Sequence, residues 1–488
     1  MRNIILIFLL STQFIFASFD MNQNMQSSYS YIIDLEFEKA LVLLAEEESK
    51  NATNGFIPLY KNYIDFLTIF ISDDFEYFEA QESFKDVRLD LLDDNDINSP
   101  YYLYSKAEVN LQWSFSRIKF EQYPTAIYEL STAYKLLKKN QKKFPDFTLN
   151  NKGLGLIHVL LGSIPKEFDW ILRISGFKGS VSRGFHELDV LLNDNRFLMY
   201  EYEVLFLLSF LQINVASNDV VSQKYLNRIG NRYKENLLLN FSAARLSHHL
   251  GQNDYCLEIL KNRPNNIDLE KFYFLDYLEG MCHLYSLDFK KAHKKFEYFL
   301  KNFRGVNYIK SANHKLAWIA FLQKNTQMRK KYFAKVISEG IDLLDSDKVA
   351  LRDAKRNYIS HIFLLRSRLL YDGGYYSSSL AELNQINPYL LNNINEIEYW
   401  YRLARVESKL NNSEDLIIKH YKKVLEKAQK SSNYYVPMSA LQLGLIYEKK
   451  DDFKKGAYYF NKCLSISDFD YERGIHQKAK SGLSRMSD

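Results

Sequence analysis

Apolar side chains recur along this chain at spacings of three and four, the periodicity of amphipathic helices, and no segment shows the sustained alternation of a half-buried strand. Residues 37–48, 56–70 and 75–92 each predict a helix on this pattern. The run Asn98-Ser99-Pro100 predicts a helix start, with Ser99 as the cap and Pro100 at the first position, where its missing N–H costs nothing. Segments 111–120 and 125–138 predict a helical hairpin with the small Ala126 at its packing point. Only 18 Gly and 8 Pro punctuate 488 residues, which favours long helices joined by short turns.

A second regularity lies on top of the helical one. A small residue is followed twelve positions later by another residue that is usually small, and sixteen positions later by a large apolar one. In 437–470 these are Gly444, Gly456 and Phe460, with Tyr447 and Cys463 also fitting and Lys449-Lys450-Asp451-Asp452 as the polar turn. In 273–303 they are Gly280, Ala292 and Phe296, with the turn at Leu287-Asp288-Phe289. Weaker copies are Ser209, Val221 and Tyr225; Ala244, Cys256 and Leu260; and Ser367, Ser379 and Leu383, the last with the turn Asp372-Gly373-Gly374. Trp400, Leu403 and Ala404 mark one more first helix, and Ala317 anchors the stretch between. The first small positions are therefore 209, 244, 280, 317, 367, 404 and 444, so successive steps are 35, 36, 37, 50, 37 and 40. The step of 50 predicts an inserted stretch around 338–353, rich in Asp and without aromatics.

This pattern resembles the tetratricopeptide repeat, whose period is about 34 residues and whose small positions let two helices approach closely. The resemblance implies an all-α fold, a right-handed superhelical α-solenoid of tetratricopeptide-like helix hairpins, in which each hairpin buries its apolar face against the next. It also implies that the first helix of each pair lines a concave groove. Carried onto this sequence, that rule places Arg245, His248 and His249 in the groove from one repeat. It adds Phe274, Tyr277, Leu278, Met281 and Tyr285 from another, and Tyr401, Arg402 and Arg405 from a third. Aromatics with arginine are the types that dominate binding hot spots. They suit an extended peptide or a helix bearing acidic groups. The opposite reading, that a tight superhelix buries these rings, is favoured for 272–285, which is apolar nearly all round. The lysine and asparagine pattern of repeats that clamp a free peptide C-terminus is absent.

Six of the 18 glycines, at 153, 155, 162, 176, 179 and 184, fall in one segment that breaks the rhythm. A helix there ends at Pro165, a short apolar stretch with Phe168, Trp170 and Ile171 follows, and Gly176-Phe177-Lys178-Gly179 leads into the next helix. In that order the segment resembles one in the eukaryotic tetratricopeptide-repeat family that includes the yeast inclusion-body-clearance protein, over about residues 30–190. The glycines permit helix stops and close backbone approach. They do not form a phosphate-binding loop, because the Gly-x4-Gly-Lys spacing is missing and no strand precedes them.

At the amino terminus Met1, Arg2 and Asn3 are followed by an apolar run from Ile4 to Leu10 and by a small residue at Ala17. This is the pattern of a secretory leader cleaved after about Ala17, and the interruption at Ser11, Thr12 and Gln13 makes it a poor membrane span. No cysteine follows for lipid attachment. No later run of 18 apolar residues occurs, 204–215 being the nearest, so the mature chain is expected to lack a transmembrane segment and to lie in the periplasm or at the cell surface of a Gram-negative bacterium. The expected organisation is leader 1–17, amino-terminal hairpins 18–150, glycine-rich insert 151–190 and repeat array 191–488.

Charge and chemistry narrow the function mainly by exclusion. With 64 Lys and Arg against 59 Asp and Glu, the net charge of +5 is small for this length, and the lysine clusters at 135–143 and 290–295 lie on helices as solvated faces, so nucleic acid is not expected as a partner. Cys256, Cys282 and Cys463 stand far apart in apolar contexts with no CxxC, so a thiolate metal site is not expected. Adjacent His248 and His249 point about 100° apart on a helix and cannot share a metal. No metalloprotease, nucleophile-elbow or acid–base signature occurs, so neither a catalytic role nor a cofactor is expected. What remains is an exported scaffold that binds a protein or peptide partner in its groove. The alternative is a carrier for a glycan or other small solute, served by the 36 Tyr.

Overall fold

The computed structural model of the chain describes residues 19–163, 179–266, 268–427 and 433–486, and within them the chain is helical with no β-strand. The leader expected at 1–17 lies outside the described residues, as do Pro165, Phe168, Trp170, Ile171, Gly176 and Phe177 of the glycine-rich segment. Contacts divide the chain into two compact units, the first comprising Met1–Leu250, Cys256–Leu275 and Asn302–Val306, the second Gly251–Tyr255, Asp276–Lys301 and Asn307–Asp488.

The first unit begins with α1 (Gln23–Ile33) paired with α2 (Phe37–Lys50), then α3 (Phe56–Ser72). The stretch expected as one helix over 75–92 is two, α4 (Phe75–Gln81) and α5 (Phe84–Asp93), broken at Glu82-Ser83. Next comes the hairpin α6 (Pro100–Lys119) and α7 (Tyr123–Lys143). Here α6 starts where the cap signal placed it, the Ser99 hydroxyl accepting the Tyr101 N–H at 3.2 Å, and it runs unbroken to Lys119. Ser114 on α6 donates to the Ala126 carbonyl on α7 at 2.8 Å, so the two backbones meet at a pair of small residues twelve apart.

Then α8 (Asn150–Ser163) packs on α9 (Val181–Leu192). The glycine-rich segment gains a physical role here. A methyl on Gly155 would stand 2.8 Å from the Gly184 carbonyl oxygen, and one on Gly162 2.6 Å from the Val181 nitrogen, so both glycines are what lets the helices touch backbone to backbone. The unit closes with α10 (Glu201–Leu211), α11 (Asp219–Ile229) and α12 (Leu237–His249), followed by α13 (Asn253–Lys261). Cys256 donates its thiol to the Ala244 carbonyl at 3.3 Å, the same twelve-residue contact again.

The helical stretch Asn195–Ala216, which contains α10, is long and apolar enough by length and composition to cross a membrane. Sequence reading placed no such run in the mature chain. The stretch is a core helix of the first unit: Val204, Leu205, Leu208 and Leu211 are buried, and Glu203 is held by a lysine of α8.

That lysine, Lys152, organises the first unit. It is 2% exposed and lies 2.9 Å from Glu108 of α6 and 2.7 Å from Glu203 of α10. Its ammonium faces the rings of Tyr63, Tyr104 and Tyr200 and donates to the Tyr63 hydroxyl. Tyr29 of α1 donates to Glu203 at 2.6 Å and Tyr63 of α3 to Glu108 at 3.0 Å. Five first helices, α1, α3, α6, α8 and α10, thus converge on one buried cation. Burial opposes its charge, but the two carboxylates outweigh burial and hold the amine above the ordinary lysine range.

In the second unit, α14 (Phe274–Tyr285) precedes α15 (Phe289–Asn302), followed by the hairpins α16 (Ile309–Leu322) with α17 (Thr326–Ser338). The insertion marked by the long step is a third helix, α18 (Asp345–Lys355), packed on both. Its Asp347 is fully buried and accepts the backbone N–H of Tyr308 at 3.0 Å and of Ser311 at 2.8 Å, capping the start of α16 from a distant part of the sequence. The array continues with α19 (Ile362–Asp372) on α20 (Tyr376–Leu383), α21 (Asn393–Lys409) on α22 (Glu414–Lys427), and α23 (Tyr435–Lys449) on α24 (Phe453–Leu464), closed by α25 (Glu472–Arg485). The small positions sit inside these hairpins: Ser367 and Ser379 hydrogen-bond each other at 2.8 Å, and Gly280 and Gly444 face the rings of Phe296 and Phe460.

Candidate functional site

A cavity of 550 Å³ opens on the face of the second unit formed by first helices. Its walls come from α16 (Trp318), α18 (Val349, Arg352, Asp353), α19 (Leu365, Arg368) and α21 (Ile394, Glu398). The loop 356–360 and the turn before α25 (Phe469, Asp470, Tyr471) complete them, with Tyr434 and Tyr435 at the head of α23. Ile394 and Glu398 share a helix face by their spacing of four, as do Arg352 and Arg356, so each helix delivers a short stripe. A neighbouring 760 Å³ depression shares Val349, Arg352 and the 469–471 turn, so the insertion α18 walls both spaces.

Aromatic rings dominate one side. Tyr434 and Tyr435 lie 4.4 Å apart by ring centroid, Tyr434 is 5.9 Å from Tyr471, and Tyr401 supports both from below at 5.9 and 5.0 Å. Charged groups line the other side, most of them paired. Arg402 donates to Glu398 at 2.6 Å, while Ser360 donates to the same carboxylate at 2.8 Å. Arg352 bridges Asp353 at 3.0 Å and Asp470, tying α18 to the turn before α25.

Two cations meet at the Trp318 ring, Arg368 among the lining residues and Lys315 outside them. Lys315 packs its ammonium 3.8 Å above the Trp318 ring, and the Arg368 guanidinium lies 5.1 Å from the same ring. Burial, and then the Arg368 charge, lower the Lys315 amine to about 7, with Asp353, Asp372 and Asp347 pulling the other way. Beside them His314 is fully buried with no hydrogen-bond partner on either ring nitrogen, and burial followed by the charges of Lys315, Arg368 and Arg352 keep it neutral.

The residues placed in a groove by sequence are divided between the units. Arg245, His248 and Phe274 belong to the first. Arg245 is half-buried over the Phe274 ring, Phe274 is buried, and burial followed by Arg245 and His249 lower His248 to about 3. In the second, Tyr277 is buried among Phe296, Phe299 and Tyr308 with its hydroxyl 2.8 Å from that of Ser311, Met281 is buried, and Tyr285 is half-buried. Tyr401, Arg402 and Arg405 adjoin the cavity, but as its backing: Tyr401 and Arg402 are buried, and Arg405 stacks on Tyr371 at 4.0 Å.

Sequence reasoning missed Lys315, Trp318, Arg352, Arg368 and the tyrosines 434, 435 and 471. The signals present were the long step that betrays α18, the adjacent Tyr434-Tyr435, and a tryptophan in a chain with only four. Among the described residues no group of three or more His, Cys, Asp or Glu is arranged to hold a metal ion.

Comparison with curated protein sequences gives no match. Two solved structures align over 95% of this chain: the Naa15/Naa10 complex bound to HypK-THB, at 12% identity and a TM-score of 0.23, and yeast Tom70, at 11% identity and a TM-score of 0.24. This chain spans 65% of the length of the chain matched in the first and 96% of that in the second. The profile of one family, described as Iml2/Tetratricopeptide repeat protein 39, matches residues 37–305, more than half of the sequence. The helix hairpins with small residues at their crossings are those of a tetratricopeptide-type scaffold, and the chain belongs to the Iml2/Tetratricopeptide repeat protein 39 family.

Proposed function

We propose that this protein is an exported scaffold that binds a protein or peptide partner through the ring-lined cavity of its second unit and carries out no catalysis. The observation that carries the reading is the contrast between two first-helix faces. The one in the first unit is filled by Lys152 and its tyrosines, whereas the one in the second unit keeps 550 Å³ open beneath Tyr434, Tyr435 and Trp318. Open concave sites with aromatic walls and a few placed charges are where ligands bind. Export rests on the leader pattern of residues 1–17 and is tested by fusing them to a reporter active only outside the cytoplasm; a silent fusion ends that part.

Site-specific photo-crosslinking tests the binding face. A crosslinker at exposed Arg356, on the cavity rim, should trap a partner, and one at exposed Tyr298 on α15 should not. Equal trapping from both positions would refute the assignment. A small solute stacked on the same rings is the second reading, favoured by the cavity's 550 Å³ volume and aromatic wall. A thermal-shift screen separates the two, because a solute at a hundred times its Kd adds about 2.7 kcal/mol of stability.

A further inference from the structure

A second cavity of the second unit, 450 Å³ in volume, shares Ile359 and Ser360 with the ring-lined one and is otherwise walled by different residues. Three of these hold a buried side-chain atom with no hydrogen-bond partner: Nε of Arg329 on α17, Nδ1 of His361 just before α19, and Oδ1 of Asn395 on α21. No residue lining the 550 Å³ cavity or the 760 Å³ depression holds such an atom. Buried polar atoms in folded chains nearly always have partners, so three bare ones around a single space point to groups that a ligand supplies. The charge of this cavity is also one-sided. Lys324 and Arg329 line it, neither is in an ion pair, and no carboxylate is among the lining residues. Glu398, the acid beyond Ser360, lines the other cavity and is taken up by Arg402 and the Ser360 hydroxyl. Helix α17 begins at Thr326 in the same wall, which adds the positive end of its dipole.

We infer that this cavity binds a small phosphate monoester bearing a free hydroxyl, its phosphoryl oxygens received by Lys324 and Arg329 and its hydroxyl donated to Asn395. A phosphate monoester carries about −1.5 to −2 at pH 7, which matches two cations with no acid beside them, whereas a single carboxylate would leave one cation unmatched. Arginine and lysine are the side chains that hold phosphoryl oxygens, the first through a fork of N–H donors and the second as a point charge. Burial lowers the His361 ring below the ordinary histidine range, with Glu398 opposing, so at pH 7 it is neutral and adds a hydrogen bond without a third charge. The acceptor at Asn395 is the reason for the hydroxyl, because inorganic phosphate alone would set another acceptor against it. Phe321, Ile359 and Ile362 give the carbon skeleton an apolar wall, and the volume lies within the range of about 300–1,000 Å³ that small ligands occupy. The site is independent of the partner-binding face proposed above, which uses neither Lys324 nor Arg329.

Isothermal titration of the full chain with glycerol 3-phosphate, glucose 6-phosphate, glucose and inorganic phosphate tests this. At least one of the two monoesters should bind saturably, and about tenfold or more tightly than either glucose or inorganic phosphate. Its affinity should fall about tenfold or more in Arg329→Gln and in Lys324→Gln. It should stay unchanged in Lys330→Gln, which removes an exposed lysine of the same helix outside the cavity. Lys324 is exposed and in no ion pair, so its variant should melt with the parent and report on binding alone. Saturable binding of neither monoester, or binding that survives both Lys324→Gln and Arg329→Gln, would overturn the inference. Inorganic phosphate binding as tightly as the monoesters would overturn the part assigned to Asn395, and glucose doing so would overturn the part assigned to the two cations. None of these results bears on crosslinking at Arg356, so the partner-binding face stands or falls separately.

Discussion

Replacing Lys152 with methionine keeps the volume at the centre of the first unit and deletes the cation buried there. The ammonium lies 2.9 Å from Glu108 and 2.7 Å from Glu203, and at an effective dielectric of 20 each pair is worth about 6 kcal/mol before desolvation is subtracted. Desolvation of three charges offsets much of that in the parent, so the ion triad itself adds little net stability. In the variant the offset remains and the attraction is gone, which puts the expected loss at about 3–5 kcal/mol. The loss should depend on pH in a defined direction. Burial already raises Glu108 above the ordinary carboxylate range, with Lys152 holding it down; without the lysine Glu108 rises further. A carboxyl whose value in the folded chain lies above its unfolded value contributes stability at low pH that is lost as pH rises. The variant should therefore be nearer to the parent at about pH 5 than at about pH 8, and Glu203→Gln in the same chain should restore part of the loss. Urea denaturation followed by circular dichroism at the two pH values measures this. A loss below about 1 kcal/mol, or one that does not change with pH, would refute the claim that this cation holds five helices together.

Five further outcomes are expected. Gly444→Ala should cost about 1–3 kcal/mol in chemical denaturation, because the methyl would stand 2.5 Å from the buried Phe460 ring, which Gly482 presses from the other side. Gly280→Ala should be close to neutral, since its methyl would lie 3.0 Å from Phe296 and the gain in helix propensity of about 1 kcal/mol opposes the crowding. Asp347→Ala should lower stability by about 1–2 kcal/mol through the lost cap on α16, and hydrogen exchange should quicken at Tyr308 and Ser311. Lys315 should make stability rise between pH 7 and the ordinary lysine value of 10.5, because in that window the unfolded chain holds a proton that the folded chain does not; calorimetric scans of Lys315→Met should lack that slope. Arg402→Glu would set a second carboxylate beside buried Glu398, so its melting temperature should fall.

The sequence by itself determined the helical class, the hairpin crossings and several helix starts. These depend on local quantities: side-chain size where two backbones approach, as at Ser114 with Ala126 or Ser367 with Ser379, and the capping chemistry of Ser99-Pro100. The extra helix was visible as an interval in the repeat, although not its function as a cap and a cavity wall. Of the expected groove, Tyr401, Arg402 and Arg405 were placed beside the cavity, but a repeat rule states which helix face points inward and not whether another side chain fills the space. Tertiary structure alone decided that. Glu203 reaches Tyr29 across 174 residues, and Arg352 reaches Asp470 across 118. Which buried charges find partners depends on these distant meetings, and so the first unit closed around Lys152 while Lys315 came to lie against Trp318 with no ion pair of its own.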